Sequence, residues 1–92
     1  MGRSSRPRPQ RLAAKLFRVR EALGVSQAAM VELLAQPKVH PAHVSGYERG
    51  DREPPLPVLL RYARLAGVCL DALVDDELDL PAKLPAKARH KP

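Results

Sequence analysis

Helix-breaking residues recur along this chain at intervals too short for any long element, and between them the apolar residues keep a helical period. Leu12, Leu16, Val19 and Leu23 follow at steps of four, three and four, which is one face of an α-helix, and Gly24 supplies the stop. Ser26 offers a hydroxyl to cap a second helix, in which Met30, Leu33 and Leu34, with Ala29 alongside, form the inward stripe; Pro37 ends it. Pro41 suits the first turn of a third helix, where its missing N–H costs nothing, with His40 as the capping residue and Gly50 closing the helix after Arg49. Pro54, Pro55 and Pro57 force an extended turn and start a fourth helix, whose apolar positions Leu59, Leu60, Ala63 and Leu65 run to Gly67. A short fifth helix, roughly Leu70 to Asp75, carries Leu70, Leu73 and Val74. No strand-like alternation interrupts this pattern, so the expected fold is all-α with five short helices.

A chain of 92 residues builds one small core. The expected division is a flexible basic arm over 1–11, a folded domain over 12–79 and an extended Pro/Lys-rich tail over 80–92. Leu80-Pro81 and Leu84-Pro85 favour that extended course, which can lie over the helices.

The formal charge of +6 points to a polyanionic partner, nucleic acid or an acidic membrane surface. Its distribution refines the reading. Arg3, Arg6, Arg8 and Arg11 in the arm and Lys83, Lys87, Arg89 and Lys91 in the tail make up half of the 16 basic residues, and neither segment holds a carboxylate. Between Leu12 and Leu80 the other eight basic residues face all ten acidic ones, leaving the body slightly acidic. Such ends either neutralise phosphates with release of counterions or simply keep the protein soluble.

Cys69 is the only cysteine, which excludes an internal disulfide and a zinc site built on paired cysteines, and fits a reducing cytoplasm. No apolar run reaches the roughly 20 residues of a membrane span. The basic start leads into no signal-like apolar segment, and Arg6 stands where myristoylation needs Ser or Thr. The expected setting is the cytoplasm, at the nucleoid.

The second helix, a short turn and the third helix form a helix-turn-helix arrangement. Physically, the later helix lies in the major groove of double-stranded DNA, while the N–H groups at the start of the earlier one, with the Gln27 amide, meet phosphates. Ser26-Gln27, Val44-Ser45 and the run Glu48-Arg49-Gly50-Asp51-Arg52-Glu53-Pro54 resemble the Q…(I/V)-S-x-x-E-x-G-x-R-x-P signature of the Cro/repressor-like, XRE-type helix-turn-helix family. The resemblance covers about Leu12 to Asp76 and implies a lambda-repressor-like five-helix domain that regulates transcription. It also implies that Arg20 pairs with Glu48, tying the first helix to the end of the recognition helix, which makes Glu48 a scaffold residue. Cys69 falls where the family often has a helix-capping Ser.

The chain departs from the family's pattern in two places. The turn is enlarged around Gln36-Pro37-Lys38, and the positions that read bases in the resembled proteins fall on Pro41, Ala42 and Gly46, none with a polar side chain. The polar residues of the recognition helix are instead His40, His43, Ser45 and Arg49. His43 and Ser45 can each make single hydrogen bonds, and Ala42 can touch a thymine methyl. Lys38 is brought within reach of a phosphate, and the arm within reach of the adjacent minor groove. With Gln27 and Arg52, these residues are the candidate DNA contacts. Tyr47 and Tyr62 read as core or rim more readily than as base-stacking groups.

The leading expectation is therefore a sequence-specific regulator that binds operator DNA as a homodimer, needs no cofactor and does not act at a membrane. The alternative is an antitoxin or adaptor using the same fold for a protein partner, motivated by the acidic stretch Asp75-Asp76-Glu77-Leu78-Asp79-Leu80. An enzyme is disfavoured. There is no phosphate-binding glycine loop and no nucleophile with a base at motif spacing, and His40 with His43 lacks further ligands for a metal.

Overall fold

The computed structural model describes residues 9–85, which form five helices in the order α1 (Leu12–Leu23), α2 (Gln27–Leu34), α3 (Pro41–Arg49), α4 (Leu56–Ala66) and α5 (Leu70–Val74). Among the described residues there is no strand. The basic residues Arg3, Arg6, Arg8, Lys87, Arg89 and Lys91 lie outside them.

The boundaries follow local chemistry. The Ser26 hydroxyl accepts the Ala29 N–H at 3.0 Å and starts α2. Gly24, Gly50 and Gly67 end α1, α3 and α4. At Gly50 the backbone enters the left-handed region at φ 81°, and the N–H groups of Asp51 and Arg52 turn back onto the Gly46 carbonyl at 2.9 and 3.3 Å. The second helix stops before Pro37, because Ala35 itself adopts the left-handed conformation at φ 55°. Val39 then plugs the enlarged turn into the core, which turns Lys38 outward.

One core joins all five helices. Leu12, Leu16 and Val19 of α1 meet Met30 and Leu34 of α2, Val44 and Tyr47 of α3, and Leu73 of α5. The α4 contribution differs from the expected set. Leu60 is exposed and Leu65 only partly covered, whereas Val58, Leu59, Tyr62, Ala63 and Ala66 are buried. With α4 turned this way, the Arg61 guanidinium donates to the carbonyls of Leu33 at 2.7 Å and Leu34 at 3.2 Å, closing the C-terminal end of α2. Both tyrosines are core residues.

Tyr62 is fully enclosed, and its hydroxyl has no hydrogen-bond partner. Burial, with Glu48 and Tyr47 nearby, pushes the phenol well above its ordinary pKa despite Arg20. An enclosed hydroxyl that gave up its water without replacement costs stability. Tyr62→Phe is therefore expected to raise stability by about 1 kcal/mol, read as a melting temperature several degrees higher. A lower melting temperature would show that the hydroxyl is bonded after all.

The acidic stretch after α5 is tied back to the start of α1 at the surface, with Asp76 partly covered and Asp75, Glu77, Leu78 and Asp79 exposed. Asp76 accepts the backbone N–H groups of Gln10 at 2.7 Å and Arg11 at 3.0 Å, an anion placed at the start of α1 by a residue far away in sequence. The Arg11 guanidinium bonds the Asp76 carbonyl at 2.8 Å and pairs with the Asp79 carboxylate. Lys15, only 5 % exposed, sends its ammonium to the carbonyls of Ala72, Asp75 and Leu78 at 2.8, 3.0 and 2.8 Å, closing the C-terminal side of α5. The chain continues past Asp79 into the fold. Leu80 is buried, Arg18 holds the carbonyls of Pro81 and Ala82, and Leu84 packs on the core edge.

These contacts set an acid limit. The N–H groups of Gln10 and Arg11 hold Asp76 below its usual range, and the Arg11 guanidinium does the same for Asp79. Because both folded-state values lie below the unfolded 3.8, the unfolded chain takes up protons first as pH falls. The stabilisation is complete above that value and disappears as pH drops through the folded values. Urea midpoints of the wild type and of Asp76→Asn/Asp79→Asn should differ at about pH 6 and converge by about pH 2; a gap independent of pH would exclude this origin.

Candidate nucleic-acid interface

The enlarged turn and α2 present α3 with its N-terminal face outward. His40, Pro41 and Ala42 are exposed, and His43 and Ser45 are partly so. His40 caps the helix as expected, but through its backbone: the His40 N–H donates to His43 Nδ1 at 3.0 Å. The two rings lie 5.3 Å apart between centroids. Burial, then Arg52 and His40, lower the His43 pKa from 6.5, so this imidazole is neutral at neutral pH.

Further along α3 the polar groups engage one another. Arg49 donates from Nε to Asp51 at 2.8 Å and from its Nη1 to the Ser45 hydroxyl, a chain lying over the exposed end of the helix. Gly46 corrects the sequence reading. It is buried, and a Cβ there would meet Arg52 Cβ at 3.3 Å. Its smallness lets the Arg52 segment pack on the helix, so it contributes no base-reading surface.

Arg20 and Glu48 form a two-pronged pair, Nε to Oε2 at 2.7 Å and Nη2 to Oε1 at 3.0 Å. Arg20 also donates to the Val25 carbonyl at 2.9 Å, and its side chain is 16 % exposed against 7 % for Glu48. Gln27, at the start of α2, gives its amide N–H to the same Glu48 at 3.2 Å, so it is positioned by the scaffold pair. Hydrogen bonding to Glu48 raises the Arg20 pKa further, against some burial.

Lys38 and Arg52, both exposed, stand at the two ends of α3, and neither makes an ion pair within the described residues. A cleft of about 290 Å³ beside Arg52 is bordered by Pro9 and Gln10, so the basic arm joins the body next to the end of α3. Cys69 sits at the capping position of α5 without making a side-chain cap bond. Sequence reasoning missed the Asp76 and Lys15 clamps, whose partners lie more than fifty residues away.

Among the described residues no three His, Cys, Asp or Glu side chains come together as a metal-binding group, and no helix is long and apolar enough to cross a membrane. Two short helices joined by a turn, with the N-terminal face of the second exposed and flanked by cations that make no ion pair among the described residues, define a helix-turn-helix domain of the kind found in DNA-binding regulators. The sequence matches the helix-turn-helix domain family over residues 11–76, most of the chain, and the protein belongs to that Cro/repressor-like family. Comparison with curated proteins and with solved structures gave no significant match.

Proposed function

We propose that this protein is a sequence-specific transcription regulator that binds operator DNA as a dimer, with α3 in the major groove. The observation that carries the reading is the exposed N-terminal face of α3 set between Lys38 and Arg52, cations that make no ion pair among the described residues. Ala42 offers a methyl contact, His43 and Ser45 polar ones, Gln27 and Arg49 the flanking backbone contacts, and His40 and Pro41 the leading edge. One module of this size makes few base contacts, and two-fold symmetry doubles them. The basic arm and tail add phosphate neutralisation, the arm starting beside Arg52. Such a protein works in the cytoplasm, at the nucleoid.

Selection from a random DNA library should enrich a short, two-fold symmetric site, with affinity falling steeply as salt rises. Equal retention of every sequence at physiological salt would defeat the proposal. A second reading, protein contact as an antitoxin or adaptor, draws on Leu56 and Leu60, which are 58 % and 36 % exposed one turn apart on α4. It calls for a stoichiometric partner whose binding is lost on Leu56→Asp.

A further inference from the structure

On α3, one polar side chain has its hydrogen-bonding character fixed by a contact that the helix-turn-helix geometry alone does not require. His43 is the third residue of α3, and its Nδ1 accepts the His40 backbone N–H at 3.0 Å. An imidazole nitrogen that accepts an N–H carries no proton, so the neutral ring keeps its proton on Nε2. Nε2 has no partner among the described residues and is not enclosed. The ring is braced as well, since His40 packs against it with the ring planes 31° apart.

A free neutral histidine exchanges between two tautomers and can donate or accept at its outer nitrogen. The capping bond removes that choice, because a proton moved to Nδ1 would face the His40 N–H and open the first turn of α3. Ser45, two residues on, accepts from Arg49 and keeps both its hydroxyl hydrogen and a second lone pair, so its polarity is not fixed in the same way. The groups facing His43 that can carry charge are Arg52, from the loop after α3, and His40.

We infer that His43 is a specificity-determining residue that acts only as a donor, through Nε2–H, and selects a base with a major-groove acceptor. Guanine comes first, because N7 and O6 lie side by side on its edge, whereas adenine and cytosine also present amino donors there. This inference rests on the DNA-regulator reading above and adds to it the polarity of one contact. The device is local: a helix cap decides which base edge the neighbouring side chain can read.

Two measurements on the full chain test it. A long-range proton–nitrogen correlation spectrum at about pH 7 should show His43 protonated at Nε2 alone; a proton on Nδ1 overturns the lock. Library selection with the wild type and with His43→Ala should then differ at one position of each half-site, where the wild type favours guanine. Replacing that guanine by 7-deazaguanine, which lacks the N7 acceptor, or by 2-aminopurine, which lacks O6, should in at least one case weaken wild-type binding roughly three- to tenfold and leave His43→Ala binding unchanged. An enriched site whose every position is indifferent to His43→Ala, or a wild type indifferent to both base analogues, overturns the contact while leaving the regulator reading intact. If no sequence is enriched even though the spectrum shows the Nε2–H form, the regulator reading falls, and the base contact with it. Thermal melting of His43→Ala separates loss of the cap from loss of the contact, and the deaza experiment leaves the protein unaltered.

Discussion

Glu48→Ala is expected to cost the domain about 3–5 kcal/mol, a large share of the roughly 5–15 kcal/mol that holds a small domain folded. The magnitude comes from what remains behind. Arg20 would keep a largely buried guanidinium with the Val25 carbonyl and the Phe17 ring as partners but no carboxylate, and the Gln27 amide would lose its acceptor. The pair links α1, the start of α2 and the end of α3, so its loss should loosen the orientation of the recognition helix as well as lower the melting temperature. Desolvation makes the intact pair worth much less than its rupture costs. Arg20→Met/Glu48→Leu should accordingly recover at least half of the single variant's loss in urea denaturation. If the double variant is as unstable as Glu48→Ala, the penalty does not arise from an orphaned charge.

The second large effect is expected at Leu80. Leu80→Ala should destabilise by about 2–3 kcal/mol, the range for emptying a buried leucine site at the edge of a core. Leu80 is 7 % exposed and belongs to the same cluster as Leu12, Leu16 and Leu73. It lies beyond residue 76, where the family match stops. A tail that merely trailed over the surface would tolerate the substitution within about 0.5 kcal/mol, and chemical denaturation tells the two apart. Leu84→Ala, at a position only partly covered, should fall between these limits.

Both predictions concern groups whose partners are distant in sequence, and the same distance decides what can be read from the chain. The cap at Ser26, the helix starts at Pro41 and Leu56 and the stops at Gly24, Gly50 and Gly67 all depend on residues within a turn of one another, and each falls where local pattern places it. The burial of α4 was less accessible. Leu60 fits a helical stripe as well as Val58 does, and the face that turns inward is set by the packing of Val58, Leu59, Tyr62, Ala63 and Ala66 together with the bonds from Arg61 to the end of α2. Gly46 likewise looks like an open position until Arg52 is folded against it.

The candidate interface divides along the same line. That α3 would be the presented helix, with His43, Ser45 and Arg49 among its polar residues and Lys38 in the turn before it, follows from the turn residues and the signature around Glu48. The state in which those groups are presented does not. His43 Nδ1 is taken by the His40 backbone, Ser45 and Arg49 bond each other, Arg49 also holds Asp51, and Gln27 leans on Glu48. In the acidic stretch Asp75-Asp76-Glu77-Leu78-Asp79-Leu80, which motivated the protein-contact reading, Asp76 and Asp79 are engaged with Gln10 and Arg11, a use that the sequence did not reveal.

By itself, then, the sequence determined where the helices begin and end, that the described residues hold five of them, and to which family they belong. Those properties rest on short-range backbone chemistry and apolar periodicity, which are local. Only the tertiary structure decided which polar groups remain available and that the chain after Asp79 joins the core. Burial and hydrogen-bond saturation depend on neighbours brought together by the fold, and the chain carries no local mark of them.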